Sequence, residues 1–175
     1  MMTRREFIKV AGAGVLAVSC AGMLSGCDVV DSIKEELEDQ GAAKATISNV
    51  TFMMETVNLQ VGMGGGCVRY DTLFHIRNKT SHDVSIPKTY ITGEIYDLEG
   101  NMFEMEYVGN DIEVEKDSGK VEIEDFALKT KREVGDSSLA ELKYKKIIVT
   151  IRYNEKKAIF TIDKDEENIK PEVKS

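Results

Sequence analysis

Cys67-Val68-Arg69-Tyr70-Asp71-Thr72-Leu73-Phe74-His75-Ile76-Arg77 decides the fold, because its side chains change character at every step. Val68, Tyr70, Thr72, Phe74 and Ile76 fall on one side, and Arg69, Asp71, His75 and Arg77 on the other. A period of two is the pattern of an extended strand with one apolar and one wet face. The same alternation runs through Thr46 to Met54, Val84 to Asp97, Met102 to Val108, Lys120 to Leu128, Lys145 to Tyr153 and Ala158 to Asp163, which predicts about seven strands.

Working outward, the segments between these runs carry turn chemistry: residues 78 to 83 (NKTSHD), Leu98-Glu99-Gly100-Asn101, Asn110-Asp111, Asp117-Ser118-Gly119 and Asn154-Glu155-Lys156-Lys157. Helical periodicity is confined to a turn at Ser137 to Leu142. Short strands at regular spacing with polar turns predict an all-β, antiparallel sandwich over 45–163. Residues 164–175 are charged and contain Pro171, so they are expected to be a flexible tail.

Phe74-His75-Ile76-Arg77-Asn78-Lys79-Thr80, followed by residues 91 to 101 (ITGEIYDLEGN), resembles the immunoglobulin-like domains of bacterial lipoproteins, the FxLYD group and the related telokin-like lipoprotein domain. In these, one strand ends in Asn before Thr or Ser, and a later strand ends in Tyr-Asp before a Gly turn. The resemblance implies an immunoglobulin-like sandwich and no catalytic residue. Two departures are Gly93, where a larger strand residue is expected, and residues 129 to 136 in place of a Pro-Gly turn.

The first 26 residues state a destination. Arg4, Arg5, Phe7 and Lys9 resemble the twin-arginine export signal, which a receptor reads to pass folded proteins across the membrane. Val10 to Leu24 is uncharged, long enough for a secretory apolar region and short for a membrane span, which needs about 20 residues. Leu24, Ser25, Gly26 and Cys27 resemble the bacterial lipobox, in which the cysteine receives diacylglycerol and becomes the first residue of the mature chain. Ala17-Val18-Ser19-Cys20 is a weaker rival, with Ala in place of the large aliphatic residue. Two acyl chains hold a protein on a bilayer where one does so only marginally. The resemblances imply a signal peptide over 1–26, a lipidated Cys27 with a charged tether over 27–44, and a location on the extracytoplasmic side of a bacterial membrane. The translocase and the lipoprotein-processing enzymes would be its partners during export.

The chain carries a net charge of −8, and residues 27–175 carry −10, with 20 Lys and Arg against 30 Asp and Glu. Without a basic patch, nucleic acid and electrostatic adhesion to anionic lipid are excluded as partners. Of three cysteines, Cys20 lies in the signal and Cys27 in the lipobox, so Cys67 is the remaining thiol and no intrachain disulfide is expected.

Candidates for chemistry are few. Residues 62 to 67 (GMGGGC) are glycine-rich, yet they lack the Lys-Ser/Thr of a phosphate-binding loop and lead into a strand, so a flexible interstrand loop is the plainer reading. Cys67 has no neighbouring His and no second thiol to resolve a sulfenate, and reads as a half-buried strand-end cysteine. His75 and His82, with Cys67 and Met53, Met54, Met63, Met102 and Met105, are the weak candidates for a soft-metal site. His75 is expected on a strand surface and His82 in a turn. Glu113/Glu115 and Glu122/Glu124 sit at i and i+2 and read as wet strand faces. The sequons at Asn49 and Asn78 read as strand and turn residues. No Ser-His-Asp or Cys-His arrangement is evident, so the expectation is a non-catalytic binding module without a cofactor, whose partner is an unknown envelope protein or ligand. The alternatives are a metal- or small-ligand-binding lipoprotein, or an accessory subunit of a membrane complex in which exposed Leu73 or Phe103 marks the contact.

Overall fold

The computed structural model of the protein describes residues 41–55, 60–165 and 169–175. The export signal, the lipobox with Cys27 and most of the tether lie outside these residues. Gly41 to Ser175 forms one compact unit, so the domain begins inside the segment expected to be a tether.

The fold is all-β, an immunoglobulin-like antiparallel sandwich. Its strands are β1 (Ala42–Ile47), β2 (Val50–Glu55), β3 (Gln60–Gly64), β4 (Cys67–Asp71), β5 (Phe74–Asn78), β6 (Val84–Ile86), β7 (Ile91–Asp97), β8 (Met102–Tyr107), β9 (Ile112–Val114), β10 (Ser118–Ile123), β11 (Ala127–Thr130), β12 (Tyr144–Tyr153), β13 (Lys156–Asp163) and β14 (Ile169–Lys174). A four-stranded sheet runs β1-β2-β5-β10 and an eight-stranded sheet runs β14-β13-β12-β7-β8-β11-β4-β3; β6 and β9 pair as a small third sheet. On one side the sandwich is closed by β1, which lies alongside β13 and β14. Among the described residues, two direct crossovers pass between the sheets, from β4 to β5 and from β10 to β11.

The fourteen strands of the described residues correct the expected seven, because several alternating runs are broken without losing their pattern. Thr46 to Met54 is a hairpin whose turn, Ser48-Asn49, has φ of 49° and 66°. Gly65-Gly66 (φ 57° and 73°) and Asn154-Glu155 (46° and 62°) are turns of the same kind. Two consecutive left-handed residues twist a two-residue loop to match the strands it joins, which is why Gly and Asn collect there. The glycine-rich stretch expected as a loop is therefore the β3–β4 hairpin. The run from Cys67 to Arg77 is two strands in different sheets, and Lys120 to Leu128 likewise divides into β10 and β11. Pro87 ends β6, and a 3-10 turn over Lys88–Tyr90 precedes β7. A second 3-10 turn, Ser138–Glu141, occupies the expected helical turn.

Residues 169 to 174 correct the expected flexible tail. Ile169, Pro171 and Val173 alternate with Lys170, Glu172 and Lys174, and the segment pairs along β13. A proline is tolerated because β14 is an edge strand, where a missing N–H costs no ladder bond on the open side.

The core lies between the two large sheets. Its centre is a run of aromatic rings: Phe74 stacks on Phe126 at 4.3 Å, Tyr107 meets Phe126 at 5.0 Å, and Phe160 meets Phe74 edge-on at 6.3 Å. Tyr70 is fully buried beside Met54 and donates its hydroxyl toward the Met54 sulfur at 3.5 Å. Burial pushes its hydroxyl pKa well above the usual phenol value.

Candidate functional site

The two crossovers lie side by side. β4 passes to β5 through Thr72 and Leu73, and β10 passes to β11 through Glu124, Asp125 and Phe126. The Thr72 N–H donates to the Phe126 carbonyl at 3.2 Å, which holds the crossovers together. Asp125 takes φ of 53°, a left-handed conformation that shifts the inward-facing phase by one residue between Ile123 and Phe126. Beside them opens a cleft of about 690 Å³. Leu73 and Ile123 supply its apolar part, and Asp71, Glu122, Glu124 and Asp125 supply carboxylates. Asp71 is already engaged, because the Arg69 guanidinium reaches it at 2.8 Å from both Nε and a terminal nitrogen.

His75 corrects the expectation of a surface strand residue: it is buried, as is Arg77. β5 is an inner strand, with β2 on one side and β10 on the other, so its outward side chains are flanked from both neighbours. Register places Lys44, Met53, His75 and Glu122 in one row across the outer face, and Arg77 between Thr51 and Lys120 in the next. The ring of His75 has Nδ1 3.6 Å from Glu55 and Nε2 3.7 Å from Glu122. Lys120 approaches Glu55 at 3.5 Å, so the carboxylate between them faces two basic groups.

The potential soft ligands are dispersed. Cys67, buried, opens β4 in the eight-stranded sheet; His75 lies on the outer face of the four-stranded one; His82 is exposed in the turn after β5. Met54 and Met105 are in the core, whereas Met63 and Met102 are exposed. Among the described residues no three His, Cys, Asp or Glu side chains come together as a metal site. Glu113 accepts a hydrogen bond from the Ser85 hydroxyl at 2.9 Å. Phe103 corrects the expectation of an exposed contact residue: it is buried, with the Arg132 guanidinium 5.3 Å above its ring. Leu73 is half-buried at the cleft.

Two polar residues the sequence marked at strand ends are spent on the domain's own turns. Asn78, fully buried, accepts from the backbone N–H of Thr80 at 3.0 Å, and its amide donates to the carbonyls of His82 at 2.9 Å and Glu115 at 3.0 Å. Asp97 closes the β7–β8 turn, accepting from the Asn101 backbone N–H at 2.7 Å and the Asn101 side-chain amide at 2.8 Å. No known protein family, curated protein or solved structure matches this chain. The cleft is what sequence reading missed. Its residues come from two distant crossovers, and the one local signal is the break in alternation at Glu124-Asp125.

Proposed function

We propose that the protein is a cell-envelope lipoprotein, held on the extracytoplasmic side of a bacterial membrane by lipid on Cys27, that presents its sandwich as a non-catalytic interaction module. The ordered series Arg4, Arg5, Phe7, Lys9 and then Leu24, Ser25, Gly26, Cys27 supports the location. The observation that carries the module reading is the cleft at the crossovers. It is open, acidic along one part and apolar along another, and its lining contains no His, Cys, Lys or Arg. Such a lining offers no imidazole, thiol or amine to act as nucleophile or base, and no oxyanion donor of positive charge. It suits a basic, partly apolar segment of an envelope protein, drawn by Glu122, Glu124 and Asp125 and seated on Leu73 and Ile123.

Two measurements test this. Membrane fractionation of the native host should find the protein with the membrane, and Cys27→Ser should release it to the soluble fraction; membrane retention of that variant would sink the anchor. For the module, a photo-reactive amino acid at Leu73 should cross-link one envelope protein, and Glu124→Lys with Asp125→Lys should abolish that product. Native mass spectrometry distinguishes the carrier alternative: stoichiometric mass beyond protein and acyl chains would replace the module reading with a metal or small-ligand carrier.

A further inference from the structure

We propose that β3 is a self-pairing edge, through which two copies of the chain join antiparallel about Gly62 and extend each eight-stranded sheet into its partner's. The open edges differ in how they are guarded. β14 carries Lys170, Pro171, Glu172 and Lys174, and β10 has an irregular register between Ser118 and Lys120. Charges, prolines and bulges are the devices that stop a sheet edge from templating another strand. β3, Gln-Val-Gly-Met-Gly, has none of them: Gln60 to Val68 carries no ionisable charge other than the thiol of Cys67, and the strand keeps an unbroken register with β4. Among the described residues no strand pairs with its outer side.

The occupant is a second copy because apolar Val61 and Met63 lie symmetrically about Gly62, so a twofold antiparallel pairing matches apolar side chains with apolar ones. Antiparallel pairing centred on Gly62 sets Val61 against the partner copy's Met63, twice, and Gln60 against Gly64. Val61 and Met63 share a face, and Met63 is 41 % exposed in the single chain, so the pairing covers the apolar side chain that the edge leaves in water. Charge points the same way. On an acidic chain most surfaces repel their own copies, but the ionised side chains opposite β3 on β4, Arg69 against Gly62 and Asp71 against Gln60, are paired with each other at 2.8 Å. At the axis, Gly62 has open space where a Cβ would stand, and its backbone is not left-handed. Two five-residue strands bury little surface, so the contact belongs with small, reversible interfaces below about 1,200 Å². The inference needs neither the lipid anchor nor a different partner protein.

Sedimentation velocity of the full chain in a non-ionic detergent, over a concentration series, tests it. The wild type should show a concentration-dependent dimer. Gly62→Lys and Gly62→Glu should each be monomeric, since like charges would face one another at the axis, and an equimolar mixture of the two should dimerise again. A wild type that stays monomeric up to about 1 mM, the weak end of specific binding, overturns the proposal. So does a dimer that survives Gly62→Lys, or a mixture that remains monomeric. Met63→Glu, at a side chain already exposed, should also lose the dimer, and it serves as the second variant if a Gly62 substitution fails to fold.

Discussion

The side-chain oxygen of Asn78 sits 3.0 Å from the Thr80 backbone nitrogen and 2.7 Å from the Thr80 hydroxyl, while the Asn78 amide donates to the carbonyls of His82 in the same turn and of Glu115 beyond β9. One residue thus ties the end of β5 to its own turn and to Glu115 after β9. Every polar atom of the Asn78 side chain is used, and the Thr80 hydroxyl lies 2.8 Å from the His82 carbonyl as well.

Asn78→Ala should destabilise the domain by at least about 2 kcal/mol, since buried carbonyls lose their donor without access to water. Asn78→Asp keeps the accepting oxygen but turns the donor into a second acceptor among carbonyls, so it should be at least as damaging at neutral pH. Thr80→Val should cost less, about 1 kcal/mol. Urea unfolding of the three variants measures the order; a near-neutral Asn78→Asp would mean that the amide donor contributes nothing.

Asp97 gives the fold a dependence on acid. Burial alone would raise its pKa, but the hydrogen bonds from the Asn101 side chain, the Asn101 backbone and the Gly100 backbone outweigh that and hold it below the ordinary carboxylate range. The native state therefore binds a proton at Asp97 less readily than the unfolded chain. Its contribution is complete above the unfolded value of about 3.9 and is lost as pH falls through the lower folded value. Thermal unfolding across pH 2 to 6 should show a wild-type decline that is steeper than that of Asp97→Asn in the acid range. Parallel curves would remove Asp97 from the acid response.

What the sequence reveals and what it conceals have the same physical origin. β8, β12 and β13 fall within two residues of the alternating runs that predict them, because each stays in one sheet throughout. The crossover at Thr72-Leu73 leaves no mark. Both sheets face a single core, so Val68, Tyr70, Thr72, Phe74 and Ile76 stay inward while the chain changes sheets, and the period continues unbroken. At Asp125 the phase does slip, and the slip is visible only as two adjacent acids. Burial of His75 was illegible for another reason: alternation separates two faces, but which outward face is flanked on both sides depends on strand order, which follows from long-range pairing. β14 was legible in its alternation and concealed by its charge.

Cys67 reports on the β3–β4 hairpin. Its side chain is buried at the first residue of β4, next to the Gly65-Gly66 turn. Alkylation of the folded protein should be slow and should accelerate with low denaturant before global unfolding, since a short edge hairpin opens locally at less cost than the core. Cys67→Ser should cost about 1 to 3 kcal/mol, the scale for burying a hydroxyl without a partner. Labelling as fast in the native protein as in the unfolded one would mean that the thiol is open to reagent.

Gly93 is set by close packing, and a larger residue should be unwelcome there. It occupies an inward position on β7 between β8 and β12, and a Cβ at this position would stand 3.2 Å from Leu128 Cδ2, 3.3 Å from the Ile148 carbonyl oxygen and 3.3 Å from Met105 Cβ. The Leu128 methyl is able to move; the carbonyl and the Met105 Cβ are fixed to neighbouring strands. Gly93→Ala should therefore cost about 1 kcal/mol despite the better strand propensity of alanine, and Gly93→Val about 3 kcal/mol, the scale of overpacking in a dense core. Shortening Leu128 to Ala removes only one of the three contacts, so Gly93→Ala with Leu128→Ala should be less damaging than the two single changes added together, with a coupling of about 0.5 kcal/mol or more. Additive costs would show that Leu128 does not limit the space and that the fixed strand backbone alone holds position 93 to glycine.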